Sequence, residues 1–125
     1  MASGTFQVKR IYDPPSASDG ARVLVDRLWP RGLRKEDLEL TLWHKDVAPS
    51  PALRKWFHQN RDRWEEFEAR YRAELDANPE VLTQLYELQK RGRVTLLYGT
   101  RDKEHNHAQV LADYLRTHGR KRQRA

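Results

Sequence analysis

The chain has 125 residues, enough for one compact domain, and is 38% hydrophobic and 34% charged. It contains no cysteine, which excludes disulfides, thiolate metal sites and thiol nucleophiles and fits a reducing cytoplasm. No apolar run approaches the ~20 residues of a membrane span, and the net charge of +6 drops to about +2 when Arg120, Lys121, Arg122 and Arg124 are set aside, leaving 20 basic against 18 acidic residues.

No apolar segment follows Met1 to Phe6, so a signal peptide is not expected. Thr5 to Tyr12 reads as a first strand, with Phe6, Val8 and Ile11 apolar among polar neighbours. Pro14 and Pro15 stop it, and residues 13–20 read as a loop. Arg22 to Leu28 reads as a second strand, apolar on both faces, as suits a central strand. Asp26 shares parity with Leu24 and Leu28, and Arg27 with Val23 and Val25. Burying an unpaired charge is costly, so both are expected at the strand end, paired or facing a cleft. Trp29-Pro30-Arg31-Gly32 then turns the chain. A short helix is expected around residues 35–38 and a short extended segment over 41–47.

Three helices follow. Ser50 and Pro51 supply an N-cap and a first-turn proline, and Leu53, Trp56 and Phe57 form a stripe. Asp62 and Glu65 fit a capping box, with Trp64, Phe67, Tyr71 and Leu75 at helical spacing beyond. Asn78-Pro79 repeats the cap-plus-proline signal before Leu82, Leu85 and Leu88, and Gly92 fits the position past the helix end. Arg93 to Tyr98 reads as a buried strand, and Val110, Leu111, Tyr114 and Leu115 mark a last helix. Strands and helices interleave. The expectation is therefore an α/β fold: a single compact domain over residues 1–119, with a small, mostly parallel sheet flanked by helices, and a basic flexible tail over 120–125.

Between the last strand and the last helix lies a polar loop holding Arg101, Lys103, His105, Asn106 and His107. Open α/β sheets bind ligands at the carboxyl ends of their strands, and a helix amino terminus favours an anion. If the strand of residues 93–98 pairs beside that of 22–28, Asp26, Arg27, Trp29 and Arg31 come toward this loop. Asn106, with Gln109 three residues on, is expected to cap the last helix. Asp26 and His107 are the candidate acid–base pair. Arg27, Arg31 and Lys103 are candidate anion ligands, alongside His105 and Asn106. Trp29 and Tyr98 are candidate pocket walls, and Trp43 and Trp56 candidates to extend a planar platform. Asp102, His105 and His107 are close in sequence, but His-x-His at a loop-to-helix transition need not converge, and no metal site is assigned. The chain has no dinucleotide-binding glycine motif, no P-loop, no Gly-x-Ser-x-Gly and no Cys-x5-Arg loop.

These residues lead to binding of a small anionic ligand at the strand ends, with hydrolysis or group transfer as the reaction class if the site is catalytic. No cofactor is identified. The alternative is a nucleic-acid-binding accessory domain that uses the basic tail and the Arg-rich surface, with affinity falling steeply as salt rises. A third reading is a protein-interaction domain presenting the aromatic helices around Trp56 and Trp64.

Three blocks in order carry a resemblance: Arg22-Val-Leu-Val-Asp-Arg-Leu-Trp-Pro-Arg-Gly32; Ala48-Pro-Ser-Pro-Ala-Leu-Arg-Lys-Trp-Phe57; and Thr95-Leu-Leu-Tyr98 with Asn106-His-Ala and Val110-Leu111. Over roughly Phe6 to Leu115 the chain resembles the domain-of-unknown-function family 488, in its short YeaO-like branch. The resemblance implies a compact, bacterial, cytoplasmic α/β domain and implies no reaction. Longer members of the broader family often carry Cys at the strand end and Cys-His-Arg at the helix start. Here those places hold Tyr98 and Asn106-His107-Ala108, so any thiol-dependent chemistry of those relatives does not carry over.

Overall fold

The computed structural model describes residues 5–124, with the side chains of 119–124 outside that description. The tail expected over 120–125 therefore lies outside the residues whose side chains are described.

Four strands form one parallel sheet: β1 (Phe6–Arg10), β2 (Ala21–Leu24), β3 (Leu42–Trp43) and β4 (Val94–Tyr98), in the order β1-β4-β2-β3. Four helices accompany them: α1 (Pro51–Gln59), α2 (Trp64–Ala77), α3 (Thr83–Arg91) and α4 (His107–Arg124). This is the expected α/β domain, with β4 pairing β2 as anticipated. No helix among the described residues is long and apolar enough to cross a membrane.

The period-two pattern explains the layering. Phe6, Val23, Val94, Leu96 and Tyr98 face a core shared with Leu53, Phe67, Tyr71, Leu85 and Leu111 of the four helices. All four helices thus cover one face. Each fully buried aliphatic or aromatic side chain there contributes roughly 1.5–3 kcal/mol. Among the described residues the opposite face carries no α-helix. Leu24 and Leu97 pack there against Ile11 and Leu38, with Trp29, Leu33, Leu40 and Trp43 around them. The segment joining β2 to β3 is irregular and forms this second cover.

Toward β1 the same face turns polar. The Asp19 carboxylate is buried, accepts from Arg22 Nη1 at 2.5 Å and from Lys9 Nζ at 3.1 Å, and also takes the Ser16 N–H at 3.0 Å. Burial alone would raise its pKa, but hydrogen bonds from Ser16, Lys9 and Arg22 outweigh that and hold it below the ordinary carboxylate value. Thr95 Oγ1 donates to the Asp19 carbonyl at 2.6 Å, which ties the network to β4.

Several boundaries differ from expectation. The second strand ends at Leu24 rather than Leu28, with one last ladder bond from Val25 N to Leu97 O at 3.0 Å. The next donor on the β4 side, Gly99 N, is taken by the Asp26 side chain at 2.9 Å, and a side chain that captures a ladder donor ends the pairing. Leu28, expected on a buried face, is consequently 63% exposed. The extended segment over 41–47 shrinks to Leu42–Trp43, followed by a 3-10 turn at Lys45–Val47. Another such turn at Lys35–Asp37 stands where a short helix was expected. Asp62 caps nothing: α2 starts after Arg63, with no side-chain cap. Asn78 likewise makes no side-chain cap bond, and a 3-10 turn at Pro79–Leu82 intervenes before α3. Ser50 does cap α1, accepting from Leu53 N at 3.1 Å.

Candidate functional site

The carboxyl ends of β2 and β4 converge as expected. Asp26 lies just beyond β2, and one of its oxygens accepts from Gly99 N. A Cβ on Gly99 would stand 2.9 Å from that oxygen, so a larger residue there would push the Asp26 carboxylate aside. His107 opens α4. Its Nε2 lies 2.9 Å from the Val25 carbonyl and 3.2 Å from the other Asp26 oxygen. A carbonyl only accepts, so Nε2 carries a hydrogen there. That hydrogen serves Val25, and Asp26 Oδ1 is buried without a hydrogen bond of its own. The His107 ring packs nearly perpendicular to that of buried Tyr71, 6.2 Å between centres, and the Tyr71 hydroxyl donates to Val47 O at 2.6 Å. Burial pushes the Tyr71 phenol up, with Glu74 adding to the effect.

Asn106 is buried and caps α4: its Oδ1 accepts from Gln109 N at 3.0 Å. The capping box is not reciprocal, because Gln109 Nε2 goes to Lys103 O. Asn106 Nδ2 donates to Asp102 O at 2.9 Å. Asp102 in turn accepts from the backbone N–H groups of His105 and Glu104, which hold its carboxyl below the usual range. The loop before α4 is therefore braced by its own polar groups.

Above this floor opens a cleft of about 800 Å³, within the range of small-ligand sites. Asp26, Arg27 and Leu28 line its base. One wall is α1 and the turn after it, with Arg54, Lys55, Phe57, His58 and Arg61, and Trp64 and Phe67 at the start of α2 close one end. The other is the loop into α4, with Thr100, Asp102, His105, Asn106 and His107. Arg27 is anchored, donating to Pro49 O and Ala48 O at 3.3 and 3.2 Å. Arg54, Lys55 and Arg61 have no ion-pair partner among the described residues. His105 stacks on the Trp64 indole at 4.8 Å and 21°, and Trp64 stacks on Phe67 at 5.2 Å and 26°.

Of the residues singled out in the sequence, Asp26, Arg27, His105, Asn106 and His107 line this cleft. Trp29, Arg31, Tyr98 and Lys103 do not. Trp29 turns to the other face of the sheet, meets Trp43 edge-on at 5.1 Å and donates to Leu33 O. Arg31 is exposed, and its carbonyl accepts from Tyr12 Oη. Tyr98 shares the parity of Val94 and Leu96, so it is buried in the helix-side core, where desolvation raises its phenol pKa. Lys103 is exposed on the loop outside the cleft. Trp56 lies beneath Arg70, 4.2 Å from guanidinium carbon to ring centre, so the anticipated tryptophan platform does not form.

The residues not singled out are the α1 wall and Trp64. A signal for the wall exists: Arg54, His58 and Arg61 recur at spacings of four and three, and no acid occurs from Val47 to Arg61.

The chain matches one family over residues 5–125, described as the inactive DUF488-N3 subclade. It is 47% identical over 112 residues to "Uncharacterized protein YeaO" of Escherichia coli (strain K12), covering 90% of this chain and 97% of that protein. It is 45% identical over 109 residues to "Uncharacterized protein Rv3073c" of Mycobacterium tuberculosis (strain ATCC 25618 / H37Rv), covering 87% and 92%. "Uncharacterized protein Mb3100c" of Mycobacterium bovis matches to the same extent. No solved structure shows a significant match.

Proposed function

The chain belongs to the inactive DUF488-N3 subclade of the DUF488 family, and from that premise we propose that its cleft binds a small anionic ligand without turning it over. One observation carries the reading. Arg54, Lys55 and Arg61 line a single cleft and, among the described residues, none of them stands within ion-pair distance of a carboxylate, so that with Arg27 the cations there outnumber the two acids, Asp26 and Asp102. Like charges gathered without counter-charge destabilise a surface unless an anion joins them. The amino termini of α1 and α4 both open on the cleft, through Pro51 and His107, and add positive potential. Asp26 and His107 serve as positioning groups in this reading. They join Gly99 and Val25 across the strand tips and so tie the start of α4 and the loop before it to the end of β2.

The test is calorimetric titration of the full chain with inorganic phosphate and pyrophosphate at low salt. Saturable binding that Arg54→Ala with Arg61→Ala removes supports the proposal. No heat, or binding indifferent to those two changes, would sink it.

A second reading has its own observation. Asp26 Oδ1 and His107 Nε2 lie 3.2 Å apart in the same cleft, within ion-pair distance, while Val25 O holds the Nε2 side of the ring and leaves Nδ1 as the nitrogen for proton transfer. It implies hydrolysis or group transfer. Phosphate release from a panel of phosphomonoesters that disappears in His107→Gln would favour it over binding alone; the description of the subclade as inactive weighs against it.

A further inference from the structure

We infer that the anion is carried on a planar heteroaromatic ring, so that the cleft takes a ligand of the nucleoside monophosphate class. The inference rests on the anion-binding reading and adds a second subsite to it. Along one side of the cleft the rings of Phe67, Trp64 and His105 are stacked in sequence, at 5.2 and 4.8 Å and within 26° of parallel. Phe67 is buried, Trp64 is half-buried and His105 is exposed. The stack therefore begins in the core and ends on a ring that faces solvent at the cleft. An exposed terminal ring is an unfilled stacking position. A purine or pyrimidine placed on it, or in its place against Trp64, continues the stack, because every base has a π-face.

The loop that carries His105 suits this role. Asp102 fixes the His105 backbone N–H at 2.9 Å, and Asn106 ties the same loop to α4. The ring is thus offered from a braced backbone, stacked on Trp64. The cations line the α1 side of the same cleft, where Arg54 and Arg61 offer the forked donors that match a phosphate and Lys55 adds a compact charge. Ring and anion sites share one cleft of about 800 Å³. Polar groups of Thr100 and Asp102 lie on the stack side, where they meet the donors of a base or sugar rather than its phosphate. Asp102 in particular repels an anion, which orients the ligand with its ring toward the loop and its phosphate toward α1.

Equilibrium titrations of the full chain with adenosine 5′-monophosphate, ribose 5-phosphate and inorganic phosphate test the inference. Adenosine 5′-monophosphate is expected to bind at least ~10-fold more tightly than ribose 5-phosphate, the gain of one stacked base. His105→Ala with Trp64→Leu should bring the two to equal affinity and leave ribose 5-phosphate unaffected. Because Trp64 touches the core, His105→Ala alone, at an exposed position, provides a variant whose folding is not at stake; it should lose part of the same advantage. Equal binding of both phosphates by the unaltered chain would overturn the ring subsite and leave the anion site standing. Failure of all three ligands to bind would remove both. Binding of a single-stranded oligonucleotide far more tightly than the mononucleotide, through the same residues, would overturn the inference in favour of a nucleic-acid groove.

Discussion

Helices α1 and α2 are neighbours in sequence and space, and both are rich in arginine or lysine, yet they treat charge in opposite ways. On α2, Arg70 is bonded to Glu66 at 2.5 Å, and Arg72 to Glu68 at 3.2 Å and to Asp113 of α4 at 2.5 Å. The two pairs within α2 are helical i,i+4 pairs, and with Asp113 they leave little net field. On α1, Arg54 and Lys55 have no acid on their own helix at all. The α2 acid that does reach α1 is spent on its N-cap: Glu74 accepts from Ser50 N at 2.9 Å and from Ser50 Oγ at 2.5 Å. Arginine content therefore says little about where an anion goes. What decides it is whether the chain supplies the counter-charge itself. The Arg-rich surface that points to nucleic acid in the sequence is, on α2, largely a set of closed ion pairs.

The buried Asp19–Arg22 pair is the limiting case of supplied counter-charge, and the largest effect is expected there. Asp19→Asn leaves Arg22 buried beside a neutral group and is expected to cost about 3–5 kcal/mol in urea unfolding at pH 7. The Asp19 pKa is lowered in the folded chain, so its contribution is present above the ordinary carboxylate value and is lost as pH falls through the lowered one. The gap between the unaltered chain and Asp19→Asn should accordingly narrow toward pH 3. A gap that stays constant with pH would show that Asp19 acts through shape rather than charge.

Next comes the unpaired helix. Arg54→Glu with Lys55→Glu is expected to weaken phosphate binding roughly 100-fold, since it replaces attraction by repulsion within the cleft. Arg70→Glu on α2, matched in charge change at one site but outside the cleft, should shift affinity less than about twofold. If both helices respond alike, the cleft has no special standing and only the net charge of the molecule counts.

How much of this is legible in the chain differs between fold and site. The β4 run Val94–Tyr98, the Ser50–Pro51 start of α1 and the Asn106 cap are local signals, set by neighbours within four residues, and each is found where its pattern places it. So is the convergence of Asp26 with the loop after β4, because parallel pairing forces two strand tips together. The direction of Trp29 is different. It depends on the irregular cover of residues 25–41, whose path answers to Leu38, Leu40 and Trp43 rather than to periodicity. Tyr98 at a strand end admits two readings, pocket wall or core, and its parity with Leu96 settles it into the core. The α1 wall is hidden for another reason: Leu53, Trp56 and Phe57 explain the helix as a core element, and the opposite face gains meaning only once the loop from β4 lies across from it. The Asp19 network has no local pattern, since its partners lie 10 and 76 residues away as well as three.

A smaller effect tests the hydrogen-bonded bridge between the start of α1 and α2. Ser50→Ala removes the α1 cap and one of the two bonds to Glu74, and is expected to destabilise the chain by about 1–2 kcal/mol in thermal or urea unfolding. Phosphate affinity should fall only modestly, because the cations remain while the helix start loosens. Glu74→Gln, which keeps an acceptor but drops the charge, should cost less than Ser50→Ala. The reverse order would mean that Glu74 matters to α1 as a charge and not as a cap.

The smallest effect is the most discriminating. Glu66→Gln frees Arg63 and Arg70 from the carboxylate they share at 3.4 and 2.5 Å. All three side chains are exposed by more than a third, so solvent already screens the pairs, and the stability change should stay under ~0.5 kcal/mol. The variant makes α2 resemble α1 in having unpaired arginines, but without a facing wall. If anion binding needs cations and a cleft together, phosphate affinity is expected to stay within about twofold, with only a slightly steeper salt dependence. The converse graft, His58→Glu, places an acid four residues after Arg54 and makes α1 resemble α2; phosphate affinity should then fall several-fold while the fold is kept. A rise in affinity with Glu66→Gln as large as the fall with His58→Glu would mean that unpaired arginine anywhere on this surface suffices, and that the wall opposite α1 contributes nothing.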